Sequence, residues 1–196
     1  MTEPRVRDLP SGRAMSELLR AVVSGWHELD PPLDWDAVER MHPADDRLLA
    51  ALIARVGLIN CFQWHLEDEC RAHYEHPPVL ARLKHAIDAS NRRRVSAIDE
   101  IDRRIADGLE PRGPASARLA VVTPGALIDQ LSILELKRYH ADVRRRVDSA
   151  ADAGVVSLLG EQIDDFCAAI DDLARELAAG ERRLKFYRTV KLYGST

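Results

Sequence analysis

The sequence predicts an all-α fold, a helical bundle of four long helices preceded by a short N-terminal helix. Three observations predict it. Apolar residues recur at three- and four-residue steps over long stretches, the period of a core-facing helix. Pro and Gly sit mostly at the joints between these stretches, with Gly57 and Gly160 inside them. No segment alternates as a strand does, and Leu119 to Val122 is apolar but short.

Each element follows from local signals. A first helix is expected from about Ala14 to His27, halted by Asp30-Pro31-Pro32. Asp34 to Met41 reads as a helical turn. His42-Pro43-Ala44-Asp45 then opens a long helix that runs to about Tyr74 and ends at His76-Pro77-Pro78. The next runs from Val79 to about Asp107, with Gly108 at its end, and Glu110 to Ala117 is a loop. Thr123-Pro124-Gly125 is the clearest helix start, since Thr caps and Pro suits the first helical position. That helix lasts to about Val147. After a turn at Ala150 to Gly154, the last long helix spans about Val156 to Ala179 and stops at Gly180.

At 196 residues the chain fits a single helical domain, with residues 1–13 expected to be disordered and 182–196 forming a basic, aromatic tail. Hydrophobic residues make up 46% and charged residues 31%, enough to bury a real core. A net charge of −4 makes a nucleic-acid partner unexpected, because general binders are basic. Cys61, Cys70 and Cys167 form no CxxC pair, which speaks against a disulfide framework or a zinc ribbon. The start MTEPRVRDLPSGR lacks the apolar stretch of a signal peptide, and no apolar run reaches the ~18 residues of a membrane span. A cytoplasmic protein without a membrane partner is expected. Abundant Arg and Ala with few Lys suggest a GC-rich bacterial genome.

The functional lead is an apolar stripe that turns polar. On the second helix, Leu49, Ile53 and Val56 continue as Asn60, Trp64, Glu67 and Arg71. On the third, Leu80, Leu83 and Ile87 lead to Asn91 and Arg94 before Ile98, Ile101 and Ile105 resume. On the fourth, Leu127, Leu131 and Leu134 form the core line, flanked by Asp129, Ile133, Leu136 and His140, with Glu135 at the stripe edge. Buried charge is costly unless paired. The pattern predicts a polar pocket between these three helices. Arg71 and Arg94 would bind an anionic group by forked hydrogen bonds, with Asn60 and Asn91 orienting it. His65, Glu67 or Asp68 would act as acid or base. Two structural readings compete: an ion network such as Glu67–Arg94 that fixes register, or helix ends that emerge into solvent.

Other groups carry less. His65 and Glu69 are four apart and could share a metal, but the two Glu-x-x-His pairs of a di-iron bundle are missing, so no metal ligands are assigned. His27, His73, His76 and His85 read as helix-end or surface residues. In the tail, Tyr187 and Lys191 are four apart and would point back at the pocket. The sequence contains no GxxxxGK[ST], GxGxxG or GxSxG motif, and the cofactor is left unknown.

Several pieces resemble an uncharacterised bacterial family of helical proteins, a domain of unknown function often encoded in lipopolysaccharide or glycan gene clusters. They are Asn60 with Trp64 to Arg71, Asn91 to Arg94 with Ile98 to Asp102, Thr123 to Lys137 with His140, and Arg183 to Tyr193. The likeness spans roughly residues 45 to 193, and the Thr-Pro-Gly and Leu-Ser-Ile-Leu piece is its most specific part. Gln130 and Arg138 depart from the family pattern. The resemblance implies a helical fold and a bacterial, cytosolic setting, and carries no settled activity.

The functional expectation is a small-molecule enzyme or binding protein for an anionic or sugar-like metabolite in bacterial glycan or specialised metabolism. The alternatives are a non-catalytic helical accessory or dimerisation protein for a glycosyltransferase, able to form a homodimer, and a metal-dependent redox enzyme.

Overall fold

The computed structural model describes residues 9–42, 48–109, 114–147 and 153–185. Among them the helices are α1 (Gly12–Leu29), α2 (Trp35–Met41), α3 (Leu49–Ala72), α4 (Pro77–Asp107), α5 (Pro124–Val147) and α6 (Ala153–Ala178). The all-α bundle is the observed fold. Among the described residues the strand structure is a two-residue parallel pairing of β1 (Arg118–Leu119) with β2 (Arg182–Arg183).

Helix α1 starts two residues before the position expected, because Ser11 caps it by accepting from the Ala14 amide at 3.2 Å. Its buried side chains, Met15, Ser16, Leu19, Val23 and Trp26, follow three- and four-residue steps. Asp30 ends it in the left-handed region at φ 43°, and the Pro pair follows. Gly12 lets α1 meet α6 backbone to backbone, since a Cβ there would lie 2.3 Å from the Cys167 carbonyl oxygen. Gly125 does the same for α5 against α4: a Cβ would lie 2.7 Å from the Ile98 carbonyl oxygen.

Helix α3 is the hub, packed on α1, α4 and α5, and α5 also packs on α6. It is the one described helix long and apolar enough to cross a membrane by length and composition, and its most apolar window is 67% buried inside the bundle. The proposed start of this helix at Pro43 to Asp45 lies outside the described residues.

The main core joins α1, α3, α4, α5 and α6 around Leu19, Ile53, Ile59, Ile101, Leu131 and Ile163. A second cluster, Val23, Trp26, Leu58, Phe62, Leu66, Ile87 and Leu136, fills the region toward the far end of α3. The polar residues of interest stand next to this second cluster.

The α4 stripe differs from expectation in one respect that matters. Ile87 is followed inward by Ser90, not Asn91, then by Ala97, Ile101 and Ile105. Asn91 is exposed. At about 100° per residue, both the third and fourth positions after a buried one are near the stripe, and packing decides which turns in.

A candidate interhelical site

Helices α3, α4 and α5 meet at a polar node. Asn60 of α3 donates through Nδ2 to Asp129 Oδ1 of α5 at 3.0 Å and also to Ser132 Oγ. Ser132 Oγ in turn donates to the Asp129 carbonyl at 3.0 Å. Arg94 of α4 donates through a terminal nitrogen to Asp129 Oδ2 at 3.0 Å. The Asp129 side chain is only 5% exposed, so its charge is held by these two donors rather than by water.

Beside the node opens a pocket of about 340 Å³. Helix α3 contributes Asn60, Gln63, Trp64, Glu67 and Arg71, α4 contributes Arg94, and α5 contributes Ile133 and Leu136. The volume falls within the range of small-molecule clefts, ~300–1,000 Å³. Two of the lining residues keep buried polar atoms without partners among the described residues, the acceptor Oε1 of Gln63 and the donor Nε of Arg94. Both atoms border the pocket, where a ligand could supply their missing hydrogen-bond partners.

The structure thus brings Asn60, Trp64, Glu67, Arg71 and Arg94 to one cavity, with Asp129 directly behind them. Glu67 and Arg71 are exposed at its mouth, where α3 leaves the core. Arg71 also pairs with Asp68, one helical turn back on the outside. Arg94 takes its carboxylate from Asp129 rather than from Glu67, the example given for a register-fixing ion network.

Other expected site residues lie elsewhere. Glu135 faces α1: it is buried, accepts from Ser16 Oγ, and pairs with Arg20 and Arg138, each at 3.4 Å. It fixes α1 on α5 and is not part of the pocket. Asn91 points to solvent. His65 turns from the pocket toward α1. Tyr187 and Lys191 lie outside the described residues.

Sequence reasoning missed His27. It lies in the last turn of α1, a helix-end position as expected, but it is half-buried and stands with His65 and His140 in a cluster of imidazoles. His27 Nδ1 donates to the Val23 carbonyl at 2.7 Å, which leaves Nε2 as the ring's lone-pair nitrogen in the neutral form. That atom lies 3.2 Å from His65 Nε2. His140 stacks on Trp64 at 4.9 Å between ring centroids, and Tyr139 stacks on His27 at 4.1 Å. Burial, reinforced by His27, pushes His140 down to about 4 and lowers His65 as well. The ring of Trp64 therefore packs on the imidazole cluster while the same residue lines the pocket.

A second cavity, of about 300 Å³, opens between α3 and α4 beside Arg55, Arg93 and Arg104. Its charges are largely matched: Arg55 pairs with Glu39 at 3.2 Å, Arg104 with Glu100 at 3.1 Å, and Arg93 lies 4.1 Å over the Trp35 ring.

Fold and site together define an all-α bundle protein with a charged pocket between three of its helices. Residues 50–186 match the protein-of-unknown-function family DUF4254, and the chain belongs to that family. No curated protein and no solved structure matches it.

Proposed function

We propose that this protein binds, as enzyme or as carrier, a small anionic metabolite with sugar-like hydroxyl groups in the pocket between α3, α4 and α5. The observation that carries the reading is Arg94. Asp129 and the helix packing hold its guanidinium in place, while its buried Nε–H has no acceptor among the described residues. A guanidinium oriented in advance binds an anion with little further loss of side-chain freedom. Gln63 Oε1 offers the matching acceptor for a ligand hydroxyl, and Arg71 at the mouth adds a second positive charge. Glu67, on the rim, is the lining carboxylate that would exchange a proton with a bound substrate.

The resemblance to a family encoded in glycan gene clusters supports a ligand from bacterial glycan or specialised metabolism, met in the cytoplasm. The accessory-protein reading has weaker support. Among the described residues the two most exposed apolar side chains, Val121 at 84% and Val147 at 88%, stand at opposite ends of α5, roughly 35 Å apart along a helix of this length.

The test is thermal denaturation of the full chain against inorganic phosphate, hexose phosphates, hexuronates and neutral hexoses. The expected result is a rise in melting temperature with an anionic sugar, absent with the neutral hexose and abolished in Arg94→Met. A shift that survives unchanged in Arg94→Met, or no shift with any anionic sugar, would remove the reading.

A further inference from the structure

We infer that His27, His65 and His140 form a binding site for a divalent transition-metal ion of the zinc type, placed against the wall of the pocket. Each residue offers one ring nitrogen, and these three atoms lie within 4.8 Å of one another. They come from α1, α3 and α5, so only the assembled bundle creates the site.

The geometry suits a metal. Two imidazole nitrogens on a tetrahedral zinc, each about 2.0–2.1 Å from it, stand about 3.3 Å apart. The His27 and His65 Nε2 atoms are already 3.2 Å apart. At its widest the set has to close by about 1.5 Å to reach that spacing, a swing of one ring. Without a metal, two neutral rings can share that short contact only if His65 Nε2–H donates a hydrogen bond to His27 Nε2. Metal binding would replace that proton with an ion shared by both lone pairs.

The surroundings point the same way. The bond from His27 Nδ1–H to the Val23 carbonyl fixes the tautomer that aims Nε2 into the cluster. Ligating histidines regularly use their second nitrogen in this manner. His140 Nε2 is buried and has no partner among the described residues. A purely structural cluster would have to bring three imidazoles together and leave a buried nitrogen of one of them without a bond.

Three protein ligands leave a coordination position open, as in sites where zinc meets a substrate oxygen or water. Trp64, stacked on His140, separates the cluster from the pocket, so a ligand seated at Arg94 would lie next to this site. The inference goes beyond the anion reading and does not depend on it.

The experiment is a titration of the full, untagged, chelator-treated chain with Co²⁺, read by the visible ligand-field bands of a tetrahedral ion. The expected result is saturation at one ion per chain, competed away by Zn²⁺. Each of His27→Gln, His65→Gln and His140→Gln is expected to weaken binding at least ~10-fold. His73→Gln and His85→Gln, outside the cluster, should leave it unchanged, as should Arg94→Met, so this site and the anion site can fail separately. Absence of ligand-field bands, or unchanged affinity in any one of the three cluster variants, would overturn the inference. If a variant does not fold, imidazole nitrogen NMR of the wild-type chain with Zn²⁺ decides. Shifts at all three rings support the site, and unshifted rings refute it.

Discussion

Arg94 donates to Asp129 across 3.0 Å, joining α4 to α5 through a carboxylate that also receives Asn60 from α3. One ion pair therefore serves two ends. It holds three helices in register, and it fixes the guanidinium that faces the pocket.

That dual role sets an expectation for Arg94→Met. The substitution leaves the Asp129 charge with Asn60 as its remaining side-chain donor from another helix. A fully buried pair broken in this way costs on the order of 3–5 kcal/mol. Because 24% of the Arg94 side chain is exposed, the expected loss is smaller, about 2–3 kcal/mol. Adding Asp129→Asn should recover part of it, since the stranded charge is then gone. Urea denaturation of both singles and the double variant measures the coupling. Additive losses would mean that the pair contributes nothing of its own.

Glu135 provides the contrast. It binds Ser16, Arg20 and Arg138 away from the pocket. Glu135→Gln is expected to lower the unfolding free energy by about 1–3 kcal/mol. It should leave the affinity for an anionic sugar unchanged when measured by calorimetry below the melting transition. A change of ten-fold or more would show that α1 and α5 also shape the pocket.

Asp102 governs the start of α5 and carries a pH dependence. Its Oδ1 accepts from the Gly125 amide at 2.6 Å. Burial raises its carboxyl above the ordinary range, partly opposed by the bonds from Thr123 and Gly125. The folded state thus holds the proton more tightly than the unfolded chain. The contribution of this group is full below the unfolded carboxylate value of about 3.9 and is lost as pH rises through the folded value. Asp102→Asn keeps an acceptor and carries no charge, so it should be more stable than wild type at pH 7. That advantage should vanish toward pH 3. Asp102→Ala loses the acceptor and should cost about 1–2 kcal/mol. Melting curves from pH 3 to pH 8 separate the two, and an advantage for Asp102→Asn that grows on acidification would contradict the assignment.

Gly12→Ala tests the close approach of α1 to α6. The new methyl would meet the Cys167 backbone at 2.3 Å, where no side chain can rotate away. The helices must part, at a cost of about 3 kcal/mol. Gly25→Ala, which meets nothing within 4 Å, should instead be neutral or stabilising by up to about 1 kcal/mol. Parallel denaturation of the two variants checks the difference.

Periodicity, proline and glycine placement, and the Thr123-Pro124-Gly125 cap were enough to establish the helices, their order and the bundle class. These are local properties, set by 3.6 residues per turn and by which residues can begin or end a helix. The polar break in the α3 stripe was legible for the same reason, and Asn60, Trp64, Glu67 and Arg71 line one pocket along that face. The rest required tertiary structure. Whether Ser90 or Asn91 turns inward is a matter of one helical step, decided by how α4 rests on α3. Glu135 and Asp129 sit on one helix but serve different neighbours, because α5 packs against α1 as well as against α3 and α4. His27, His65 and His140 are far apart in sequence, and no local rule relates them. Only the packing of α1, α3 and α5 brings their ring nitrogens within 4.8 Å. A single sequence fixes the turn of each helix about its own axis only approximately, whereas a site built by three helices depends on all three rotations at once.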